Sequence, residues 1–525
     1  MVSRTRIAAL AVLAVASLLA TGCAASSKGS NGGTASAPLG KAGRPNAPSP
    51  APPGRTDSNA QDSAGVTPEV LAAEQPTSTF AMDVDTAAYG YARRTLRDGR
   101  RPDPSTIRPE EFVNAFRQDY RQPTGNGFTV QVDGARLPVG HRIGPGPAVR
   151  SGSPDEEQTG SGAVRLMRVG LQTRAEDSTA RADATLTFVI DVSGSMGEPG
   201  KLDMVKDALH TLVDQLRPTD AVAIVAFDDD ARTLREMTPV RNRSALSAAI
   251  DQLQPGGSTN LEGGLVQGYR VARAGFRQGT TNRVILLSDG LANVGDTQAD
   301  PILRQVREEA DKQIALLGVG VGSDYGDALM EQLADHGDGF VVYVSELEQA
   351  RRVFVQQLPA TLTVRALDAK VQVTFDPATV LSYRLIGYDD RALSASQFRN
   401  DRVDGGEVGP GHSVTALYAV RLRGSTGRVA EARIRWQDPA TREASELATT
   451  VTVADLARDF TAAAARLRVC YAAAYFAEAL RASRYGGEVR LTDLANVADK
   501  AASATGDQDV SDLADLIRRA SRLNG

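Results

Sequence analysis

One stretch of the chain, residues 185–196, constrains the fold most strongly. It begins with the apolar, β-branched and aromatic run Thr-Leu-Thr-Phe-Val-Ile and continues as Asp191-Val-Ser193-Gly-Ser195-Met. A short run of this kind is typical of a strand that is buried on both faces of a sheet. Asp191 ends the strand, and Gly194 lets the backbone turn tightly between two hydroxyls. The pattern predicts three oxygen side chains around one point at the carboxyl end of a strand, where open α/β sheets bind ligands.

Two later stretches add oxygen side chains of the same kind. An Asp-x-Ser-x-Ser sequence alone is not specific, because ordinary turns contain the same residues. Residues 255–260, however, form a glycine-rich turn that carries Thr259 just before a helical stretch, and residues 284–290 form a second apolar strand that ends at Asp289. Hydroxyl and carboxylate oxygens are hard ligands that suit Mg²⁺ or Ca²⁺. The three stretches together therefore predict a metal site.

The combined pattern resembles the metal-ion-dependent adhesion site of von Willebrand factor type A domains, and the resemblance covers about residues 183–360. All five positions of that pattern are present in order: Asp191, Ser193, Ser195, Thr259 and Asp289. The resemblance implies that the two serines coordinate the metal directly and that the two aspartates do so directly or through water. It also implies that the threonine joins the site in the ligand-bound form.

The resemblance further implies Mg²⁺ as the ion, with Mn²⁺ or Ca²⁺ as alternatives. Two carboxylates balance one divalent cation, and this ligand set with water leaves one coordination position that an incoming carboxylate can fill. The implied partner is a protein that offers an Asp or Glu side chain. Two alternatives stay open: a metal that only holds the loops together, and a metal that activates water in a hydrolase.

The apolar spacing through residues 183–360 predicts an α/β fold with a doubly wound, mostly parallel sheet, like the type A and Rossmann folds. Strand-like runs alternate with helical stripes throughout this range. One stripe places apolar residues at three- and four-residue steps: Leu202, Val205, Leu209, Leu212, Val213 and Leu216. The carboxyl ends of parallel strands share one edge of a sheet, so this fold explains how oxygens that are distant in sequence converge.

The amino-terminal residues have the pattern of an export signal. Arg4 and Arg6 precede an apolar run, and the small residues before Cys23 resemble the cleavage site of a bacterial lipoprotein signal. One departure is that Ala20 stands where leucine is usual. We therefore predict a signal peptide over residues 1–22 and a lipid on Cys23, with a plain secretory signal as the alternative.

Residues 23–65 are predicted to be a disordered tether. They consist mostly of Ser, Gly, Pro, Ala and Asn, and such a composition cannot bury enough apolar surface to offset its ordering entropy. The predicted location of the folded part is therefore the outer face of the cell membrane. Cys470 is the only cysteine besides Cys23, so lipid on Cys23 would exclude an intramolecular disulfide.

The flank that precedes the predicted metal domain, residues 66–182, resembles the amino-terminal segment of a family of bacterial von Willebrand factor A lipoproteins. A strand is expected to pass into a helix with Thr86 as its N-cap, and a second helix is expected at 107–116. Asp83 and Asp85 are interpreted as exposed or capping carboxylates at the strand–helix junction rather than as a second metal site.

The flank that follows, residues 361–525, resembles the carboxy-terminal domain of the same family. Alternating apolar residues predict a β-sandwich that the strands before residue 183 complete. Alanine-rich stretches from residue 456 onward predict a helical bundle, which could equally be a partner surface. His412 is interpreted as ordering a turn rather than binding metal, and Cys470 as a small buried hydrophobe.

Composition and motifs limit the classes of function that the sequence supports. A net charge of −5 over 525 residues does not indicate a basic surface for nucleic acid. The four histidines show no spacing that suggests a catalytic triad: His141, His210, His336 and His412. No phosphate-binding Gly-x-x-x-x-Gly-Lys-Ser/Thr loop occurs, and export argues against a role as an adaptor for cytosolic ATPases. The sequence therefore predicts a binding protein rather than an enzyme.

Overall fold

The structure is a computed structural model, and it describes most of residues 66–523. The residues outside the description are 1–65, 83, 138–163, 176–181, 290–298, 311, 323–329, 331–332, 334–340, 345–349, 351–352, 355–363, 402, 404, 440 and 524–525. The predicted signal peptide, Cys23 and the tether therefore lie outside the described residues, as do Asp83, His141 and His336.

The described residues form strands and helices in three groups. The strands are β1 (Val70–Leu71), β2 (Thr77–Ala81), β3 (Phe128–Arg136), β4 (Val164–Thr173), β5 (Ala184–Asp191), β6 (Ala221–Phe227), β7 (Ala231–Pro239), β8 (Thr281–Ser288), β9 (Ala315–Val321), β10 (Val341–Val344), β11 (Leu367–Phe375), β12 (Val380–Ile386), β13 (Ala392–Leu393), β14 (Ser413–Leu422), β15 (Arg428–Gln437) and β16 (Ala444–Thr452). The α-helices are α1 (Ala87–Arg97), α2 (Pro109–Asn114), α3 (Leu202–Gln215), α4 (Arg243–Asp251), α5 (Leu261–Ala274), α6 (Ala299–Ala310), α7 (Ala465–Leu480), α8 (Leu491–Thr505) and α9 (Gln508–Leu523).

The first group is an α/β domain built on a six-stranded sheet with the strand order β10-β9-β8-β5-β6-β7. The pairs within β10-β9-β8-β5-β6 are parallel, and only the edge strand β7 is antiparallel to its neighbour. The chain proceeds from β5 to one side of the sheet and then returns to place β8 on the other side. The sheet therefore changes direction between β5 and β8, which is where open α/β sheets bind ligands.

Helices cover both faces of this sheet. Alternate side chains of a strand point to opposite faces, so Phe188 and Ile190 of β5 pack in the core beneath α3 and α4. Val189, between them, packs in the core beneath α5 and α6. Every residue of β5 is buried. The predicted doubly wound, mostly parallel α/β fold is therefore confirmed.

The second group is a β-sandwich of two five-stranded sheets, with the strand orders β1-β12-β14-β4-β3 and β13-β2-β11-β15-β16. Strands from before and after the α/β domain lie side by side, because β4 pairs with β14 and β2 pairs with β11. The chain thus leaves the sandwich after β4, forms the α/β domain, and returns at β11. This confirms that the strands before residue 183 complete the sandwich.

The third group is a helical cluster of α1, α2, α7, α8 and α9 on the outer face of one sandwich sheet. Side chains of β4 and β14, among them Leu166 and Leu417, share a core with these helices. The central helix is α7, in which Ala472 to Glu478 are all buried. Across the described residues, none of the helices has the length and apolarity needed to cross a membrane.

Two local predictions for the first flank need correction. Asp85 is not exposed: only 5 % of it is accessible, and its Oδ1 accepts a hydrogen bond of 3.1 Å from the backbone N–H of Val341 in β10. Thr86 occupies the N-cap position of α1 but makes no side-chain capping bond. Instead Glu111 of α2 accepts a 2.7 Å bond from the N–H of Ala88. A carboxylate that is distant in sequence caps this helix.

The predicted start of the last helical region also differs from the structure. Alanine-rich composition favours a helix from residue 456, whereas α7 begins only at Ala465. A capping box between Thr452 and Asp455 produces a short 3-10 turn instead. The chain then extends at Asp459 before α7 begins.

Candidate metal centre

Asp191 is the last residue of β5 and lies at the centre of the site. It is fully buried, and hydrogen bonds fix both of its carboxylate oxygens. Oδ1 accepts a 2.8 Å bond from the backbone N–H of Ser193, and Oδ2 accepts a 2.5 Å bond from the hydroxyl of Ser288 at the end of β8. The parallel pairing of β5 with β8, which sets Ile190 opposite Leu287, brings Asp191 and Ser288 together.

The two predicted serines follow β5: Ser193 directly precedes a 3-10 turn, and Ser195 lies within that turn. Their hydroxyl oxygens are 3.2 Å apart. Ser193 is buried whereas Ser195 is exposed, and the Ser195 hydroxyl donates a 2.9 Å bond to Oδ1 of Asp289. Asp289 follows β8 directly and is 4 % exposed. The structure therefore brings Ser193, Ser195 and Asp289 into one cluster beside Asp191.

The loop that carries Thr259 is hydrogen-bonded to the same turn. The N–H of Gly194 donates a 3.0 Å bond to the carbonyl of Gly257, and the N–H of Gly256 donates a 2.7 Å bond to the carbonyl of Val192. Gly257 has φ +73°, and a Cβ there would lie 2.8 Å from Oδ2 of Asp229, so the turn requires glycine. Thr259 itself is 5 % exposed. The structure thus places Thr259 on a loop fixed beside the two serines.

A lysine that the sequence analysis did not single out completes the cluster. The Nζ of Lys201 lies 2.7 Å from Oδ2 of Asp289 and 2.9 Å from Oε2 of Glu198. The Lys201 side chain is 9 % exposed, against 63 % for Glu198. The signal available in the sequence is that Lys201 is the first cation after the Asp191 loop and immediately precedes α3. Ser288 was also missed, although it directly precedes the predicted Asp289.

Burial and neighbouring charges shape the electrostatics of the site. Burial raises the pKa of Asp191 above its ordinary value, hydrogen bonds from Ser193 and Ser288 oppose this rise, and the nearby charge of Asp289 adds to it. Burial alone would lower the pKa of Lys201, but its hydrogen bonds and charge interactions with Asp289 and Glu198 outweigh burial and raise it. The site thus combines two buried carboxylates with one ammonium group.

The donor set fits a hard divalent cation. It consists of the carboxylates of Asp191 and Asp289 with the hydroxyls of Ser193, Ser195 and Thr259, which are the oxygen types that Mg²⁺, Mn²⁺ and Ca²⁺ prefer. Across the part of the chain that the structure describes, no three His, Cys, Asp or Glu side chains converge on a set that could hold a metal. Metal binding here would therefore depend on the hydroxyls.

The described histidines lie elsewhere. The ring of His210 is 3.1 Å from Oδ1 of Asp251 on the surface of the α/β domain. His412 directly precedes β14 in the sandwich, and its backbone carbonyl accepts a 3.0 Å bond from the N–H of Thr173 at the end of β4. Burial, with a further effect of Arg283, lowers the pKa of His412 to about 4.

Family models match three regions of the chain. The model described as von Willebrand factor type A domain matches residues 185–357, and a model described as von Willebrand factor matches residues 57–142. The model described as the C-terminal part of the uncharacterized protein YfbK matches residues 360–432 and 423–523. These matches cover the α/β domain and both of its flanks.

Two known proteins are similar to the chain in sequence. The protein YfbK of Escherichia coli (strain K12) is 34% identical over 362 residues, which span 69% of this chain and 61% of YfbK. The protein sll0103 of Synechocystis sp. is 29% identical over 219 residues, which span 42% of this chain and 51% of sll0103. The chain therefore covers less than two thirds of the length of either relative.

Among solved structures, a von Willebrand factor type A protein from Catenulispora acidiphila is 16% identical and has a TM-score of 0.45. The match covers 75% of this chain and 91% of that one. The family models and the sequence similarity to YfbK carry the assignment. The chain is therefore a protein with a von Willebrand factor type A domain, which a von Willebrand factor segment precedes and a YfbK-type carboxy-terminal region follows.

Proposed function

We propose that the type A domain binds a protein partner through a divalent cation, with Mg²⁺ as the preferred ion, and that the partner contributes an Asp or Glu carboxylate. The observation that carries this proposal is the convergence of Asp191, Ser193, Ser195 and Asp289 at the point where the sheet changes direction. The buried carboxylates would hold the cation, and Ser195, which is exposed, would place it near solvent. When bound, the ion would supply a Lewis-acidic position for an anionic oxygen.

A purely structural metal is the second candidate, and the hydrogen bonds of the site argue against it. Protein groups alone connect the three loops: Ser288 donates to Asp191, Ser195 donates to Asp289, and Gly194 donates to Gly257. Because these protein–protein contacts join the loops, we expect this edge of the sheet to keep its fold when a cation is removed. A metal-assisted hydrolase is a weaker candidate, since neither described histidine lies among the site residues.

The test is a titration of Mn²⁺ and Mg²⁺ into the full chain and into Asp191→Ala, with a melting curve for each protein. We expect the wild type to bind either ion and the variant to lose at least about tenfold in affinity, because one of two carboxylate ligands is gone. We also expect chelation to change the melting temperature by only a few degrees. Equal binding by both proteins would contradict the proposal, and a large drop in melting temperature on chelation would favour the structural metal.

We also propose that the protein is exported and held at the outer face of the membrane by a lipid on Cys23. The support is the sequence pattern alone: arginines, an apolar run and small residues before the cysteine. Mass spectrometry of the mature amino terminus tests this proposal. An acylated Cys23 is the expected result, and a mature chain that begins elsewhere would contradict it.

A further inference from the structure

Lys201 lies inside the candidate metal centre but is not part of the five-residue pattern. Its ammonium group is 2.7 Å from Asp289 and 2.9 Å from Glu198. Lysine is among the residues that are least often buried, because removing its charge from water is costly. A lysine that is 9 % exposed beside a predicted metal ligand therefore needs a reason.

The backbone and the aliphatic stem of Lys201 also have contacts that hold them in place. Its N–H donates a 3.2 Å bond to the carbonyl of Glu198, and its carbonyl accepts a 3.0 Å bond from Val205 in the first turn of α3. The aliphatic stem passes close to Gly322, which has φ +90° and where a Cβ would lie 3.0 Å from the lysine Cε. The lysine is therefore positioned on Asp289 by the fold.

The charge count shows what this position does. The carboxylates of Asp191 and Asp289 together carry two negative charges, so they alone would neutralise a divalent cation. With Lys201 the loaded site carries one net positive charge. Glu198 also contacts Lys201, but it is 63 % exposed, so solvent screens its charge more strongly.

We propose that Lys201 makes cation binding and carboxylate binding at this site cooperative. The inference rests on the proposed function. The ammonium group repels the cation and donates a hydrogen bond to Oδ2 of Asp289, so it weakens binding of the cation alone. The same charge leaves the loaded site positive, so an incoming carboxylate restores neutrality. Thermodynamic linkage then requires that the carboxylate also strengthens binding of the cation.

A structural role for Lys201 is the competing explanation. In this explanation the side chain serves only to hold the loop before α3, through its contacts with Glu198 and Gly322. In that case its removal would lower stability without changing how the cation and the carboxylate affect each other. The two explanations therefore differ in a coupling that can be measured, and acetate can serve as the probe carboxylate.

The experiment compares Lys201→Met with the wild-type full chain. Methionine keeps an unbranched stem of similar length and removes the charge. Mn²⁺ affinity is measured from the spin-resonance signal of free Mn²⁺, with and without acetate. We expect the variant to bind Mn²⁺ about tenfold more tightly without acetate, because a nearby like charge is gone. Acetate should strengthen Mn²⁺ binding in the wild type by several-fold and in the variant by much less.

The matched control is Lys206→Met, in the helix α3 that follows Lys201. Its Nζ binds the carbonyls of Asp251 and Leu253 at 3.1 and 3.2 Å, away from the site. This variant loses the same charge and should behave like the wild type. Equal Mn²⁺ affinity and equal acetate coupling in the Lys201 variant, with its fold intact, would overturn the inference.

A second variant, Glu198→Gln, keeps the inference testable if Lys201→Met does not fold. Loss of the exposed carboxylate leaves the Lys201 charge less compensated, so acetate should strengthen Mn²⁺ binding more in this variant than in the wild type. An equal or smaller effect of acetate would contradict the inference. Failure of the wild type to bind Mn²⁺ would instead count against the proposed function itself.

Discussion

Arg384 and Glu478 form an ion pair that is almost completely inside the protein. Arg384 is 1 % exposed and Glu478 is 0 % exposed, with 2.9 Å between Nη1 and Oε1. The guanidinium group also lies 3.7 Å from the centre of the Tyr485 ring, and Ser483 donates to the other carboxylate oxygen. The pair joins β12 of the sandwich to α7 of the helical cluster. Such a pair adds little net stability, but breaking it leaves a buried charge without compensation.

Glu478→Gln should therefore lower the free energy of unfolding by about 3 kcal/mol. Chemical denaturation of the two proteins measures the difference. The control is Asp499→Asn, which breaks a 2.6 Å pair with Arg518 whose side chains are 46 % and 41 % exposed. That change should stay within about 0.5 kcal/mol of the wild type. Similar effects of both substitutions would contradict the claim that a buried ion pair is more costly to break than an exposed one.

The five oxygen residues of the site could be predicted from the sequence because each stands where a strand or a helix meets a loop. An oxygen-bearing side chain at the end of a strand or before a helix is a signal that the sequence itself contains. Lys201 and Ser288 could not be predicted in the same way, since a lysine before a helix and a serine at a strand end are common. Their roles depend on which strands lie side by side. The metal-binding role of the five residues stays a prediction.

Helix α5 packs directly against the central sheet, and two of its glycines leave room for this contact. A Cβ on Gly268 would be 2.2 Å from Cγ2 of Val189 in β5, and a Cβ on Gly264 would be 2.7 Å from the ring of Phe227 in β6. Because α5 begins immediately after the Thr259 loop, this close packing helps to fix that loop at the edge of the sheet.

Gly268→Ala should destabilise the protein by about 1–2 kcal/mol. Alanine favours a helix by about 1 kcal/mol over glycine, but the overpacking against Val189 costs more. Denaturant unfolding of Gly268→Ala, Val189→Ala and the double variant forms a cycle that isolates the clash. We expect the double variant to be more stable than the sum of the single changes indicates. A stabilising Gly268→Ala would contradict the close packing.

Regular elements of the α/β domain were predictable because apolar periodicity and burial agree there. The predicted strand that ends at Asp191 corresponds to β5, and the apolar stripe from Leu202 to Leu216 corresponds to α3. Predictions were poorer where a contact from elsewhere in the chain decides the local structure. Glu111 caps α1 in place of Thr86. The sequence around α1 gives no signal of such a distant side chain, so the cap could not be predicted from it.

At the scale of the whole molecule, the type A domain is inserted into a sandwich that both flanks build. The pairing of β4 with β14 and of β2 with β11 means that neither flank can complete its sheets alone. The chain thus leaves the sandwich after β4 of one sheet and returns at β11 of the other sheet. The candidate metal centre lies at the carboxyl ends of β5 and β8. The helical cluster covers the outer face of one sandwich sheet through a shared apolar core, which favours a structural role for α7.

The central claim is that a cation at Asp191, Ser193, Ser195 and Asp289 keeps a coordination position for a partner's carboxylate. Relaxation of water protons by the Mn²⁺-loaded full chain, titrated with acetate and in parallel with neutral acetamide, tests it most directly. We predict that acetate lowers the relaxation enhancement by replacing a water on the ion, while acetamide at the same concentration leaves it nearly unchanged. An enhancement that neither compound alters, or that both alter equally, would contradict a carboxylate-binding position.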